Sequence, residues 1–214
     1  MKIIVKTQLL PAVASTRLTV RVAAGDTVTL ASLALATGHS AVTVEWGDGE
    51  ATEAPGGKFA HTYAAAGEYG IRITDDIQSL IVTGTDAEAA LSAPFITGFW
   101  SDAKMLTQLA NFGFSGCVNL TALSFDNSAI TTLYPGLFKG CAALSGVIQL
   151  PTVTSLAGPG TSQPFVNCTG GITEIRFAAA HEAAITSSAS PAMTVRFGGF
   201  PSEAARRSAR SRRT

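Results

Sequence analysis

Few residues in this sequence combine types and spacing that could do chemistry. Asp48 and His61 could form an acid–base or metal-binding pair, because carboxylate and imidazole groups serve both purposes in proteins. No third ligand accompanies them at metal-like spacing. Asp75 and Asp76 are the tightest pair of carboxylates, but they follow a predicted strand end, where a solvated turn is typical. We therefore favour structural roles for these residues and predict no metal site.

The three cysteines, Cys117, Cys141 and Cys168, offer nucleophile chemistry only if one of them pairs with a histidine such as His181. All three occupy the same position of an internal sequence repeat, whereas a catalytic nucleophile is needed once. Their odd number does not make a closed disulfide set, and no C-x-x-C spacing is present for zinc. The pattern predicts buried, structural side chains packed in a stack.

Other catalytic signatures are missing from the sequence. It contains neither a G-x-S-x-G nucleophile elbow nor a glycine-rich phosphate loop. The sequence therefore predicts a protein that is not an enzyme, with no catalytic residue, no cofactor-binding residue and no cofactor.

The internal repeat organises the second half of the chain. Residues 114–123 reappear as residues 138–147 and again as residues 165–175, with cysteine spacings of 24 and 27 residues. These spacings lie within the roughly 20–29-residue period of leucine-rich repeats. An apolar pair precedes each copy: Leu106 and Leu109, Ile130 and Leu133, Val153 and Leu156. The pattern predicts a short solenoid, in which each copy packs on the next.

The first half of the chain has the pattern of short β-strands. Polar and apolar residues alternate over residues 17–22, 27–30 and 42–46, which is typical of half-buried strands. Turn sequences rich in Gly, Asp and Pro separate these runs. Short strands at this spacing predict a β-sandwich.

Three motifs in this half resemble the polycystic-kidney-disease (PKD) domain. They are a W-G-D-G turn at residues 46–49, an H-x-Y corner at residues 61–63 and a G-x-Y strand beginning at residue 67. The resemblance covers residues 14–84 and implies an Ig-like β-sandwich. Trp46, Tyr63 and Tyr69 are expected to fill its interior, with their polar tips satisfied at its edge.

The F-x-x-C-x-x-L pattern of the second half resembles the BspA-like leucine-rich repeats of bacterial surface proteins. The resemblance covers about residues 106–177, and the last copy departs from the pattern because Gly171 displaces its aliphatic residue by one. It implies a surface or extracellular adhesion and recognition module of a bacterium or its phage.

Together these features predict a mainly β chain in four parts. Residues 1–84 form the PKD-like sandwich, residues 85–105 a linker and N-terminal cap of the solenoid, residues 106–200 the solenoid and residues 201–214 a basic, disordered tail. A capping box formed by Thr85 and Glu88 predicts a short helix at residues 85–91.

Charge is distributed unevenly along the chain. The 15 basic and 15 acidic residues cancel, and the composition excludes a wholly disordered chain and a globally basic nucleic-acid binder. Residues 1–205 carry a net charge of −5 and the tail carries +5. We expect nucleic acid to bind only through the tail, if at all. Its basic residues are Arg206, Arg207, Arg210, Arg212 and Arg213.

Two long stretches without charge, residues 27–44 and 140–173, raise the question of a membrane span. Neither resembles the roughly 20 apolar residues of a spanning helix, because the first alternates and the second contains several Pro and Gly, so we predict no span. Residues 2–7 predict a first strand. No secretory signal is visible, so export would need another route, and release of a phage-encoded protein by lysis fits this.

The exposed strand positions of the repeats form the candidate contact surface for a protein or glycan ligand. These positions are Thr121, Ser124, Ser145, Gln149, Thr173, Arg176, Thr194 and Arg196. By resemblance, the protein acts outside the cell, at a cell surface or on a virion. Two alternatives stay open at this point: an accessory module of a secreted hydrolase, and a spacer such as a phage tail or virion component.

Overall fold

The computed structural model describes residues 14–74, 76–125, 129–153, 155–156, 164–177 and 194–197. These residues are mainly β, which confirms the predicted class at this level. Four features discussed above lie outside the described residues: the predicted strand at residues 2–7, Asp75, His181 and the basic tail. The strands are β1 (Ser15–Val22), β2 (Thr27–Leu35), β3 (Val42–Glu45), β4 (Ala51–Ala54), β5 (Gly57–Thr62), β6 (Gly67–Thr74), β7 (Ile77–Ile81), β8 (Ile96–Ser101), β9 (Gln108–Leu109), β10 (Ala122–Ser124), β11 (Thr132–Leu133), β12 (Gly146–Leu150), β13 (Ser155–Leu156), β14 (Ile172–Phe177) and β15 (Thr194–Phe197).

The strands of the first half are divided between two sheets. One has six strands in the order β10-β8-β1-β6-β3-β4, and the other has four in the order β5-β2-β7-β9. Most neighbours are antiparallel, but β8 pairs with β10 in parallel and β7 pairs with β9 in parallel. Each sheet therefore includes one short parallel strand from the second half of the chain.

Strand β1 shows how the sequence pattern directs the packing. Its residues alternate, so Leu18 and Val20 are completely buried while Arg17 and Arg21 are exposed. Burial of each such aliphatic side chain contributes about 1.5–3 kcal/mol. The buried apolar residues of both halves form one continuous cluster, which extends from Leu18 to Ile175.

Two of the three aromatic residues expected in the interior of the first half are fully buried, and the third, Tyr69, is partly buried. Trp46 and Tyr63 are completely buried, and Tyr69 packs against the same core. The indole of Trp46 donates to Thr52 Oγ1 at 3.0 Å, and the Tyr63 hydroxyl donates to the Trp46 carbonyl at 2.9 Å. Tyr69 donates to the carbonyl of Ala65 at 3.1 Å. All three polar tips are thus satisfied, as expected.

A short helix, α1 (Ala87–Ser92), follows the first half of the chain. Its N-cap is Asp86, whose Oδ1 accepts from the backbone amides of Glu88 and Ala89 at 3.0 and 2.9 Å. The predicted capping box with Thr85 is therefore wrong by one residue. Asp86 caps as well as threonine does and lies one residue nearer to the helix.

The range predicted as linker and cap also contains strand β8. This strand pairs with β1, where Phe99 lies opposite Leu18 and Trp100 lies opposite Arg17. A 3₁₀ turn at Ala93–Phe95 connects α1 to it. Residues 85–105 therefore contribute a strand to the six-stranded sheet.

The second half forms two further small parallel sheets. One contains β12, β14 and β15 in that order, and the other pairs β11 with β13. Each turn that precedes a cysteine is hydrogen-bonded to the corresponding turn before the next cysteine. The Phe114 amide donates to the Leu137 carbonyl at 2.8 Å, and the Phe138 amide donates to the Pro164 carbonyl at 2.7 Å. Phe114, Phe138 and Phe165 stack with centroids 5.5 and 5.2 Å apart.

Candidate functional site

The sheet of β12, β14 and β15 contains several of the predicted contact residues. The register places Gln149 opposite Arg176 and Arg176 opposite Arg196. Ile148 and Ile175, which alternate with these positions, are buried, because successive side chains of a strand point to opposite faces. Gln149 and Arg176 therefore lie on the solvent face of this sheet, which we call the recognition face.

Arg176 is oriented on this face by Glu174. Its Nε and Nη2 donate to Oε1 and Oε2 of Glu174, both at 3.0 Å. These hydrogen bonds, and then the charge of Glu174, raise the pKa of Arg176. Such a bidentate pair fixes the guanidinium plane. The Arg176 side chain is still 42% exposed, so donors remain available to a ligand.

The other predicted contact residues lie in different settings. Thr121 and Ser145 are exposed and precede β10 and β12, and the Thr121 amide donates to the Thr97 carbonyl at 3.0 Å. Ser124 is half-buried opposite Trp100. Thr194 and Arg196 lie on β15, where only the backbone is described.

Sequence reasoning missed two residues of the recognition face, Val147 and Glu174. The two lie opposite each other, and a shift in register after Gly146 leaves Thr173 in an irregular position. Val147 is 43% exposed. The available signal was the spacing from the cysteines, because Val147 and Glu174 both lie six residues after a cysteine, Cys141 and Cys168 respectively, and residues at equal spacing pair with each other.

A second row of polar and aromatic side chains crosses the six-stranded sheet. Arg17 lies opposite both Trp100 and Arg72, and its guanidinium carbon is 5.1 Å from the centroid of a Trp100 ring. Arg72 donates to Glu45 at 2.9 Å. Ser124 joins this row opposite Trp100. Pairing between β1 and β8 creates the row, and the sequence pattern does not predict that pairing.

The structure brings together Asp48 and His61, the two residues that the sequence analysis considered as a pair. His61 Nε2 lies 2.7 Å from Asp48 Oδ2, and its ring stacks on Trp46 with centroids 5.1 Å apart. Desolvation opposes ionisation of Asp48, but the hydrogen bonds from His61 and from the Glu50 amide outweigh it and lower the pKa of Asp48. The pair thus fastens the turn after β3 to β5, which supports the structural interpretation.

Asp76, from the other carboxylate pair, also contacts a histidine. Its Oδ1 lies 2.8 Å from His39 Nδ1, with the two side chains 31% and 30% exposed. The contact joins the loops that follow β2 and β6. It is a partly exposed contact rather than an enclosed site.

The cysteines are free and buried at equivalent places. The Cys141 thiol donates to the Phe114 carbonyl at 3.2 Å, and the Cys168 thiol donates to the Phe138 carbonyl at 3.1 Å. Burial raises the pKa of all three thiols, that of Cys168 to about 11. A reactive cysteine needs a lowered pKa and access to solvent, so this arrangement fits packing and not nucleophilic chemistry.

Two further findings concern the described part of the chain alone. It contains no group of three or more His, Cys, Asp or Glu side chains arranged to hold a metal ion. None of the helices found there has the length and apolar character to cross a membrane.

No protein-family model, curated protein or solved structure matches this chain. The recognition face and its contacts are therefore the basis on which a function can be proposed.

Proposed function

We propose that this protein is a non-enzymatic recognition module that binds a protein or a glycan through the recognition face. In this proposal the face comprises Val147, Gln149, Glu174 and Arg176, together with the positions of β15 that pair with Glu174 and Arg176. The single observation that carries it is the register of β12 and β14, which brings an exposed aliphatic group, an amide and an oriented ion pair together on one side of a sheet.

The chemistry of these four side chains supports recognition. Gln149 both donates and accepts hydrogen bonds, and Arg176 offers donors in a fixed plane. Val147 supplies an apolar contact beside them. Surfaces of this kind, apolar at one point and polar around it, are typical of protein interfaces.

The finer fold assignment belongs to the same proposal. We propose a PKD-like β-sandwich in residues 14–84, supported by the buried Trp46 and Tyr63, and a BspA-like solenoid in the second half. Support for the solenoid comes from the parallel pairing of β12, β14 and β15 and from the stacked rings of Phe114, Phe138 and Phe165. An extended sheet is the surface with which solenoid proteins bind partners.

We further propose that the protein acts outside the cell, on a bacterial surface or on a phage particle. This proposal rests on the resemblance to bacterial surface repeats.

A binding screen against arrays of glycans and of host-surface proteins tests the function. We expect a ligand whose binding weakens about tenfold or more in Arg176→Glu, because the substitution reverses a charge and places it beside Glu174. The matched control is Arg21→Glu, which replaces another exposed arginine that pairs with a glutamate, at 3.2 Å from Glu68. A variant lacking residues 203–214 separates binding by the tail from binding by the face.

Three results would contradict the proposal. They are silence of both arrays, equal loss of binding in the Arg21→Glu control, and binding that depends on the tail alone. Silence would leave the spacer and the accessory module of a hydrolase or virion as the remaining interpretations.

A further inference from the structure

An open cleft of about 460 Å³ lies where the two halves of the chain meet, and no residue of the recognition face lines it. It is lined by residues from β2, from the end of β7, from the loop before α1 and from the loop after β9. The residues that matter for its chemistry are Ser32, Ile81, Thr85, Asp86, Asn111 and Phe112.

Backbone hydrogen bonds between the two halves hold the segments that line the cleft. The amides of Val82 and Thr83 both donate to the Gly113 carbonyl at 2.9 Å, and the Gly84 amide donates to the Phe112 carbonyl at 3.1 Å. The buried Thr83 hydroxyl donates to the Ser115 carbonyl at 3.0 Å. The cleft is therefore preorganised, which reduces the cost of ordering it around a ligand.

Phe112 has a backbone conformation that is unusual for its residue type. Its φ is +58°, in the left-handed region. The equivalent position of the next copy, two residues before the repeated phenylalanine, is Gly136, with φ +63°. A residue other than glycine in this conformation costs about 1–3 kcal/mol and is concentrated at functional sites. The aromatic side chain is thus kept at the cleft at a cost in stability, where glycine would fit without strain.

The polar groups of the cleft are donors and acceptors of hydrogen bonds. Asn111 and Thr85 are exposed, and neither side chain makes a hydrogen bond within the described residues, nor does that of Ser32. Asp86 is fixed by Lys58, whose Nζ lies 2.6 Å from Oδ2, and its side chain is 27% exposed. The hydrogen bond from Lys58, followed by that from the Ala89 amide, lowers the pKa of Asp86.

Charge balance argues against an ionic ligand. Lys58 already contacts both Asp86 and Glu88, at 2.6 and 3.1 Å. The carboxylate of Asp86 is therefore not free to attract a cation. Lys139 Nζ lies 5.8 Å from the centroid of the Phe112 ring, but Lys139 does not line the cleft, and among the described lining residues none is a cation that could attract an anion. What remains is an aromatic ring beside an amide, two hydroxyls and a carboxylate that accepts hydrogen bonds.

We propose that this cleft binds a neutral saccharide of one or two rings. The apolar C–H face of a sugar would pack on Phe112, and its hydroxyls would bond with Asn111, Thr85 and Asp86. This combination of an apolar wall and a few convergent polar groups is the usual composition of small-ligand sites. The inference does not depend on the recognition face.

The test is an NMR titration of the full chain with a panel of neutral sugars: glucose, galactose, N-acetylglucosamine, cellobiose, lactose and diacetylchitobiose. We expect saturable shifts of the amides of Gly84, Thr85, Asn111 and Gly113 with at least one sugar in the millimolar range. Phe112→Gly should weaken that binding about tenfold or more, and it should fold because glycine suits the left-handed conformation.

Asn111→Ala is the second variant, since it changes an exposed side chain and leaves the backbone alone. Trp100→Ala is the matched control, because it removes an aromatic ring from the row on the six-stranded sheet, and it should leave the titration unchanged. The proposal is overturned if no sugar shifts the cleft amides, or if the shifts persist undiminished in both Phe112→Gly and Asn111→Ala. A negative result here leaves the array experiment on Arg176 unaffected.

Discussion

Tyr63 illustrates how a single hydroxyl can secure the core of the first half. Its ring is completely buried, and its hydroxyl donates to the Trp46 carbonyl at 2.9 Å. Tyr63→Phe would keep the ring and leave that buried carbonyl without this donor. We expect a loss of about 1–2 kcal/mol in the free energy of unfolding, measured by urea denaturation.

The matched control for this substitution is Tyr69→Phe. Its hydroxyl bonds to the carbonyl of Ala65 in an exposed position, where water can replace it, so the change should be close to zero. Equal losses in the two variants would show that burial of the hydrogen bond does not matter.

Asp48 should make the stability of the protein depend on acid. Its pKa is lowered in the folded chain from the ordinary value of 3.8, so its contribution is complete above that value and is lost as the pH falls through the lowered one. At neutral pH we expect Asp48→Asn to be less stable than the unmodified chain by about 1 kcal/mol, because the hydrogen bond from His61 loses its charged acceptor.

This difference should shrink as the pH falls below 3.8. Urea unfolding of both chains at a series of pH values measures it. A difference that stays constant in acid would mean that Asp48 contributes through its shape and not its charge.

At the scale of elements, the contact between Phe112 and Gly136 couples two successive copies of the sequence repeat. A Cβ added to Gly136 would lie 2.3 Å from the Phe112 ring, and the backbone there is left-handed. Gly136→Ala therefore combines strain with overlap. We expect it to cost at least about 1 kcal/mol more than Gly146→Ala, because overpacking adds to the strain.

Gly146 is the control because its φ is +68° and nothing lies within 4 Å of an added Cβ. In a background of Phe112→Gly the extra cost at Gly136 should disappear, since the ring is gone. Thermal unfolding of the four variants measures the coupling. An extra cost that persists without the ring would place the overlap elsewhere.

Elements of local origin could be predicted from the sequence. Alternation predicted β1, β2 and β3, and the three motifs predicted the burial of Trp46 and Tyr63, because strand periodicity and turn chemistry act over a few residues. The equivalent placement of Cys117, Cys141 and Cys168 also followed from their spacing.

Features that depend on pairing between distant strands could not be predicted. Residues 85–105 contain no signal that β8 would pair with β1, more than 70 residues away, so the row of Arg17 and Trp100 was missed. The cleft beside Phe112 was missed for the same reason, since its walls come from both halves. Register also depends on bulges, and this explains the misplaced Thr173.

For the molecule as a whole, the shared sheets predict cooperative unfolding. Strand β8 pairs with β1, strand β9 pairs with β7, and the buried residues of both halves form one cluster. Removal of residues 85–214 would expose the edge of β1 and apolar surface. We expect one unfolding transition, with calorimetric and van't Hoff enthalpies that agree.

Two separate transitions, or an isolated fragment of residues 1–84 as stable as the full chain, would contradict this expectation. Circular dichroism and calorimetry on the full chain and on the fragment distinguish the outcomes. The result also decides whether the predicted boundary near residue 84 separates independent folding units.

Strand β8 has one more consequence, which concerns length. It is antiparallel to β1 on one side and parallel to β10 on the other. The six-stranded sheet therefore changes from antiparallel to parallel pairing at this one strand. The strands after β10 form separate sheets, so parallel strands added to the sheet of β12, β14 and β15 would extend it by about 4.8 Å each without altering the pairing of β1. The number of such strands would therefore set the length of the protein, while the sheet that contains β1 would stay the same.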